Sequence, residues 1–449
     1  MSAGKQIHLN LFLQPTGHHE ASWRHPASKP LDIFDIDYFR EIAALAERGK
    51  FDSLFLSDHL ALGRNFEFGP GGHLEPLTLL SALAVSTSHI GLIATASTSH
   101  TEPYNLARLF SSLDHISRGR AGWNIVTSWS ESAAGNFGGG DRQSHSERYR
   151  RATEFVEVVT KLWDSWEDDA VVADVTRGVF ADRNKIHNIN HSGPYYTVRG
   201  ALDIGRSPQG RPVFVQAGSS EEGRAFAARF AEAIFTAQQD LGEARAFYAD
   251  VKKQARSYGR QPHDIVVLPG LGPIVASTEV EAKQIEQQLN ELTIPQVGLR
   301  HLAARFDGAD LSSFPLDAPV PLHALPKPEE VQGAQSRSRV IYELVLREPQ
   351  LTLRQLLWRL AGARGHGTIV GTPEQVAHRI LDWVDREAAD GFNIMPPYLP
   401  ASLEDFVNEV VPLLQRAGRF RADYDGPFLR DQYGLSRPES GYADHRAAS

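Results

Sequence analysis

Residues 121–155, AGWNIVTSWSESAAGNFGGGDRQSHSERYRRATEF, begin as an apolar strand and lose that character at Thr127. A glycine-rich loop follows, and a helix opens around Ser144 to Glu147. Polar side chains therefore collect just beyond the C-terminal end of a strand, where α/β proteins bind ligands. His145 and Tyr149 are spaced i, i+4 and share one face of the helix's first turn. An imidazole, a phenol and the free N–H groups of a helix N-terminus together suit an anion, most simply a phosphate. A plain surface loop leading into an amphipathic helix would use the same residue types, so the other strand ends matter.

Three of them show the same change of chemistry, and a polar side chain inside the 119–128 strand adds to them. SDH (57–59) places a carboxylate, Asp58, where it can accept an N–H from a ligand ring or anchor a neighbouring loop. ATASTSHTEPY (94–104) puts Thr98 in a run of hydroxyls that only partly reads as a helix cap, because Pro103 and Tyr104 intervene. Asn124 lies inside an otherwise apolar strand, and its amide needs partners there: a polar ligand edge or another core side chain. QAGSSEEGRAF (216–226) passes through Gly218 into a helix opening at Ser219 and Ser220. Ser219 with Glu222 also fits a capping box, a purely structural device compatible with a phosphate site at the same helix end.

Other chemistries have weak signals. The chain has no cysteine, which excludes disulfides, thiolate metal sites and a cysteine nucleophile. His8 is followed by Leu9 and Asn10, not by the second histidine of an HxH metal pair. His187 and His191 are spaced i, i+4 in a segment broken by Asn, Gly and Pro, with no carboxylate close in sequence. There is no GxSxG elbow, and GNFGGGD lacks the Lys-Ser/Thr of a P-loop. A net charge of −9 argues against a nucleic-acid or anionic-membrane partner. MSAGKQIHLNLF has no signal-peptide pattern, and no apolar run approaches the roughly 20 residues of a membrane span, so a cytoplasmic location is expected.

The elements that must position these residues alternate along the chain. Strand patterns fall at 6–12, 51–58, 89–97, 119–128, 212–218, 232–237, 264–277 and 391–398, with helical patterns between and after them. Several strands are apolar almost throughout, as parallel strands covered on both faces should be. Eight strand–helix units predict a (β/α)₈ TIM barrel; the doubly wound rival usually carries GxGxxG after its first strand, and QIHLNLFLQPTGHHE does not. One barrel domain over 1–437 is expected, with insertions at 167–211 and 293–372 that form lids, substrate walls or oligomer contacts. Residues 438–449 read as a flexible tail.

FLSDHL, TASTSHTEPYNLARLFSSLDHISRGRAGWNIVTS, NFGGGD, HSERYRRATEF, NKIHNINHSGPYYTVRG and PVFVQAGSSEEGRAFAARFAEAIF together resemble the bacterial-luciferase-like flavin monooxygenases. The likeness is closest to the branch of nitrilotriacetate, dibenzothiophene-sulfone and long-chain alkane monooxygenases, and it covers nearly the whole chain. It implies a luciferase-like barrel with insertions and the oxygenase component of a two-component system. Such an oxygenase uses reduced FMN from a separate NAD(P)H:flavin reductase, and O₂, to oxygenate a small organic substrate. Position by position, it implies Asp58, Thr98 and Asn124 around the flavin ring, and His145, Tyr149 and Ser220, with Ser219 beside them, at the phosphate. His18 matches a pocket histidine of alkane-oxidising relatives and is the candidate catalytic side chain. Trp129 replaces a histidine of some relatives, and 293–330 departs from them. A homo-oligomer is also expected. The substrate expectation is a polar heteroatom compound, an aminopolycarboxylate or organosulfur xenobiotic; Arg300, His301 and Arg305 either receive its anionic group or form a solvated helix face. The rival activities are deazaflavin-dependent hydride transfer on the same barrel, or flavin binding without turnover.

Overall fold

The strand segments are apolar because nearly all of their residues are buried. In the computed structural model, which describes residues 5–63, 65–128, 131–138, 144–218, 220–331, 335–363 and 365–442, eight parallel strands close into a barrel. They are β1 His8–Leu13, β2 Ser53–Leu56, β3 Gly91–Ser97, β4 Ala121–Val126, β5 Val213–Gln216, β6 Ala233–Thr236, β7 Val266–Val275 and β8 Gly391–Ile394. Neighbours pair in sequence order, Asn10 opposite Ser53, Ser53 opposite Gly91 and Asn124 opposite Val215. The ring closes with His8 opposite Gly391. β7 runs to ten residues because it serves two partners. Its lower half pairs with β6 and β8, and its upper half, Leu271–Val275, pairs with an added strand, Gly367–Gly371, from the second insertion.

Helices surround the barrel for ordinary reasons. Ile36–Arg48 starts at Asp35, whose carboxylate accepts from the Asp37 N–H, and it buries Tyr38, Phe39, Ile42, Ala43 and Ala46 along one stripe. Trp123 points outward from β4 into a cluster of Phe110, Phe155, Trp163 and Phe214.

The N-terminal end of the barrel is plugged by the C-terminal segment. Leu429 lies so close that a Cβ on Gly91 would sit 2.3 Å from its Cδ1, so that strand position accepts only glycine. The Tyr433 hydroxyl donates to Asn10 Oδ1 at 2.7 Å inside the barrel. Arg430 pairs with Glu232 at 2.6 Å and Arg421 with Asp52 at 2.7 Å, each buried and each tying the plug to a strand. With the N-terminal end filled, the C-terminal end is the one that faces a ligand, as in other barrels.

The described residues of both insertions build structure of their own. The first forms two hairpins, Val171–Asp174 with Val179–Ala181 and His191–Ser192 with Thr197–Val198. Glu154 anchors it by accepting the backbone N–H groups of Tyr195 and Tyr196. The second builds its own apolar core, including Leu302, Phe306, Ile341 and Leu356, from helices Pro295–Arg305, Gln335–Arg347 and Leu353–Ala363. It grips the loop after β1: Glu20 N–H donates to the Ala361 carbonyl at 2.9 Å, and His301 pairs with Glu20 at 2.9 Å. The described part of the expected loose tail is held in place. The Pro438 carbonyl accepts from Arg206, and Tyr442 stacks on His187 at 4.0 Å.

Candidate functional site

The open end of the barrel is floored by phenylalanines. Phe12, Phe55 and Phe235, from β1, β2 and β6, meet edge to face with centroids 4.9–5.5 Å apart. This geometry suits the ring quadrupoles and leaves an apolar surface facing whatever binds above. On the β3–β4 side the floor gives way to polar groups. Thr95 donates to the Leu56 carbonyl at 2.7 Å and accepts from Asn124 Nδ2 at 2.8 Å. That fixes the Asn124 amide so that its Oδ1, buried, has no hydrogen-bond partner among the described residues. An unpaired buried carbonyl oxygen costs about 1–3 kcal/mol, which a ligand N–H would recover. Thr98, also buried, has its N–H and hydroxyl both directed to the Val126 carbonyl, at 3.0 and 3.2 Å.

A second cluster lies past the ends of β4 and β5. Gly218 follows β5 in a turn held by its N–H donating to Gln216 Oε1 at 2.7 Å. A side chain there would press on the Gln216 amide and on the Gly223 backbone. Ser220 caps the helix Glu221–Phe230, accepting from the Gly223 N–H at 3.1 Å, which leaves its own proton to donate elsewhere. The cap is therefore Ser220, one residue later than the Ser219/Glu222 box expected; Ser219 itself lies outside the described residues. Tyr149 reaches across from the helix His145–Trp163, packs its ring on Phe226 at 5.6 Å and brings its hydroxyl within bonding reach of Thr127 and Ser220. Burial raises the phenol's pKa, so it stays a proton donor at neutral pH. A Cβ on Gly223 would come 3.0 Å from both the Ser220 and Tyr149 hydroxyls, so the glycine keeps a small polar cradle open. Arg148 adds positive potential at Tyr149. His145, exposed, lies 5.0 Å from the Tyr149 ring, with its Nδ1 3.5 Å from Glu222, a carboxylate that an anion would have to tolerate.

The remaining candidates occupy the rim. Asp58 follows β2 and accepts from His73 Nε2 at 3.1 Å, partly buried. His18 is buried, its ring 4.5 Å from Phe12 and its Nε2 bonded to the Phe12 carbonyl at 2.8 Å, so any part it plays in chemistry falls to Nδ1. The barrel thus gathers Phe12, His18, Asp58, Thr98, Asn124, Tyr149 and Ser220 at one end. Arg300 and His301 do not join them: both are exposed, contacting Asn65, and Arg300 lies over Phe68. Trp129 lies outside the described residues. His187 and His191 have carboxylates after all, brought from elsewhere in the chain: Glu167 at 2.9 Å and Glu154 at 3.0 Å. Each histidine pairs with its own acid: Glu154 ties the insertion to the helix His145–Trp163, and Glu167 lies at the insertion's own start. Thr127, Arg148 and Gly223 were missed from sequence, although Arg148 lies i+3 from His145 and Gly223 ends the GSSEEG run.

The arrangement fits a flavin mononucleotide on two counts. The cradle of Gly218, Ser220, Gly223 and Tyr149 at a helix N-terminus suits a phosphate. The orphaned Asn124 oxygen beside an apolar floor suits the N–H edge of a planar heterocycle.

A family model described as luciferase-like monooxygenase matches residues 12–390. The chain is 50% identical to N-acetyl-S-(2-succino)cysteine monooxygenase of Bacillus subtilis (strain 168), covering 98% of this chain and 99% of that protein. It is 49% identical to nitrilotriacetate monooxygenase component A of Aminobacter aminovorans, covering 99% of each. Among solved structures it superposes with a TM-score of 0.87 on DmoA from Hyphomicrobium sulfonivorans, at 32% identity over 99% of this chain and 96% of that one.

Proposed function

The chain belongs to the luciferase-like monooxygenase family and is a flavin-dependent monooxygenase, and we propose that it oxygenates a small polycarboxylated thioether or amine using FMN reduced by a separate NAD(P)H:flavin reductase. The observation that carries the FMN reading is the cradle past β4 and β5. It offers two hydroxyl donors, Tyr149 and Ser220, beside the N–H groups of a helix N-terminus, which suit a phosphate. His145 and Arg148 offset the Glu222 charge there. Asn124 Oδ1 accepts from the ring edge, Thr98 lines the same side, and Asp58, held by His73, borders the rim. Reduced flavin, when bound, supplies the electrons that activate O₂. The protein's own contribution is orientation and dryness: Phe12, Phe55 and Phe235 exclude water from the floor on which the substrate meets the cofactor.

The substrate class rests on the two most identical relatives described above, which by name act on polycarboxylates bearing a sulfur or a tertiary nitrogen. The partner reductase is supported by the name "component A" and by the lack of GxGxxG after any strand of this chain. The test is reconstitution with a generic flavin reductase, NADH and FMN, using a panel of carboxylated thioethers and tertiary amines beside dimethyl sulfide and long alkanes. Coupled oxidation of the acids is expected. Efficient oxidation of only the uncharged compounds would overturn the substrate class.

A further inference from the structure

His366 sits at the last residue of the second insertion before its added strand, and nothing in its local sequence, GARGHGTIVG, marks it as a site residue. The fold places it at the open end of the barrel. Its imidazole stacks on Phe235 with centroids 4.8 Å apart and planes 6° apart, directly on the phenylalanine floor. The chain makes room for it there: a Cβ on Gly270, in β7, would lie 2.4 Å from His366 Nδ1 and 2.7 Å from Met395 Sδ. The backbone beneath is stiff, because Gly367 pairs with Leu271 and the His366 N–H donates to the Ala363 carbonyl at 2.9 Å. His18 lies at the other side of the floor, on Phe12, which in turn meets Phe235 at 5.2 Å.

The position within the ring of strands is what gives this imidazole a role. The groups suited to the flavin and its phosphate lie past β2, β3, β4 and β5. The opposite arc, past β6, β7, β8 and β1, carries His366, Met395 and His18, with the loop at Gln238 alongside Gly367. A substrate approaching a ring seated on the first arc has to lie over the second. The charged side chains that looked suited to an acid, Arg300 and His301, are on the exposed helix instead.

We propose that His366 reads a carboxylate of the substrate, holding it over the Phe235 side of the floor, and so determines specificity for acids over their neutral counterparts. The inference rests on the polycarboxylate reading of the substrate and deepens it. An imidazole N–H donates to a carboxylate oxygen in either protonation state. The second insertion therefore supplies a substrate contact as well as a clamp on the loop after β1.

The experiment is calorimetric titration of nitrilotriacetate, N-acetyl-S-(2-succino)cysteine and their methyl esters into the FMN-loaded protein and two variants. His366→Phe keeps the stack and removes the donor; His366→Gln removes the stack and keeps a donor. The wild type should bind at least one acid more tightly than its ester. His366→Phe should weaken that acid roughly tenfold or more, with the ester and FMN within about twofold, and His366→Gln should retain more acid affinity than His366→Phe. Equal weakening of acid and ester, or no weakening by His366→Phe, overturns the proposal, as does a wild type that binds acids no better than esters. If the acids are oxidised in a coupled reaction yet His366→Phe binds them undiminished, the proposed function stands and this assignment falls. If they bind through His366 but receive no oxygen, the assignment stands and the function falls.

Discussion

Tyr149→Phe isolates the phosphate cradle from the rest of the site. The phenol ring packs on Phe226, and a phenylalanine keeps that contact, so the substitution removes only the hydroxyl and its bonds to Thr127 and Ser220. That hydroxyl is held protonated by burial and has a neighbour, Ser220, able to share the same anion. A hydrogen bond from a neutral donor to a charged acceptor contributes about 1.5–3 kcal/mol, and 1.4 kcal/mol is a factor of ten. Reduced FMN should therefore bind roughly tenfold or more weaker, while reduced riboflavin, which has no phosphate, should shift within about twofold. Ser220→Ala is the less clean variant, since it also removes a helix cap contributing about 1 kcal/mol to stability. The assay is anaerobic titration with photoreduced flavins followed by tryptophan fluorescence. If Tyr149→Phe weakens both flavins equally, the cradle is not the phosphate site and the loop after β4 has simply lost its shape.

His18→Ala should leave FMN affinity within about twofold and cut product formed per reduced flavin by roughly 10²-fold, the lower range for lost acid–base help; unchanged yield would remove His18 from the chemistry. His19, buried beside it, has its pKa lowered to about 4 because burial disfavours the charged ring; its Nδ1 accepts from Ala21 N–H and its Nε2 meets Asn290. A folded pKa below the unfolded 6.5 gives stability that is fully present above pH 6.5 and lost as pH falls toward 4, on the order of 3 kcal/mol. Urea melts across that window should show the loss in the wild type and much less of it in His19→Asn. Leu429→Ala should cost about 2–5 kcal/mol in the same melts by emptying the plug beneath Gly91 and Gly122, with reduced-FMN affinity unchanged; a loss of flavin binding in step with stability would mean the plug and the open end are not independent.

The barrel was legible because its parallel strands are apolar along their whole length and punctuated by polar ends, a signal that survives without any knowledge of contacts. Asn124 and Tyr149 were legible for the opposite reason, as polar groups where the pattern called for apolar ones or on one face of a helix turn. The residues that escaped are those brought in from a distance. His366 reaches Phe235 only because the added strand pairs with β7, and Leu429 reaches Gly91 from the far end of the chain. The carboxylates of His187 and His191 are likewise distant or set by the fold of the insertion. Of the two readings open to the cations at 300–305, the solvated helix face is the one seen for Arg300 and His301, because the helix Pro295–Arg305 turns Val297 and Leu302 to the core.

Oxygenation with flavin reduced elsewhere is tested by a single-turnover experiment without any reductase. The protein is mixed with photoreduced FMN and a polycarboxylated thioether or amine, then with ¹⁸O₂-saturated buffer, with no NADH present. Product bearing one ¹⁸O atom is expected in an amount that tracks the reduced flavin bound, with flavin reoxidation distinct from that of FMN alone. Product lacking the label, or reoxidation at the rate of free flavin with no product across the substrate panel, would contradict it.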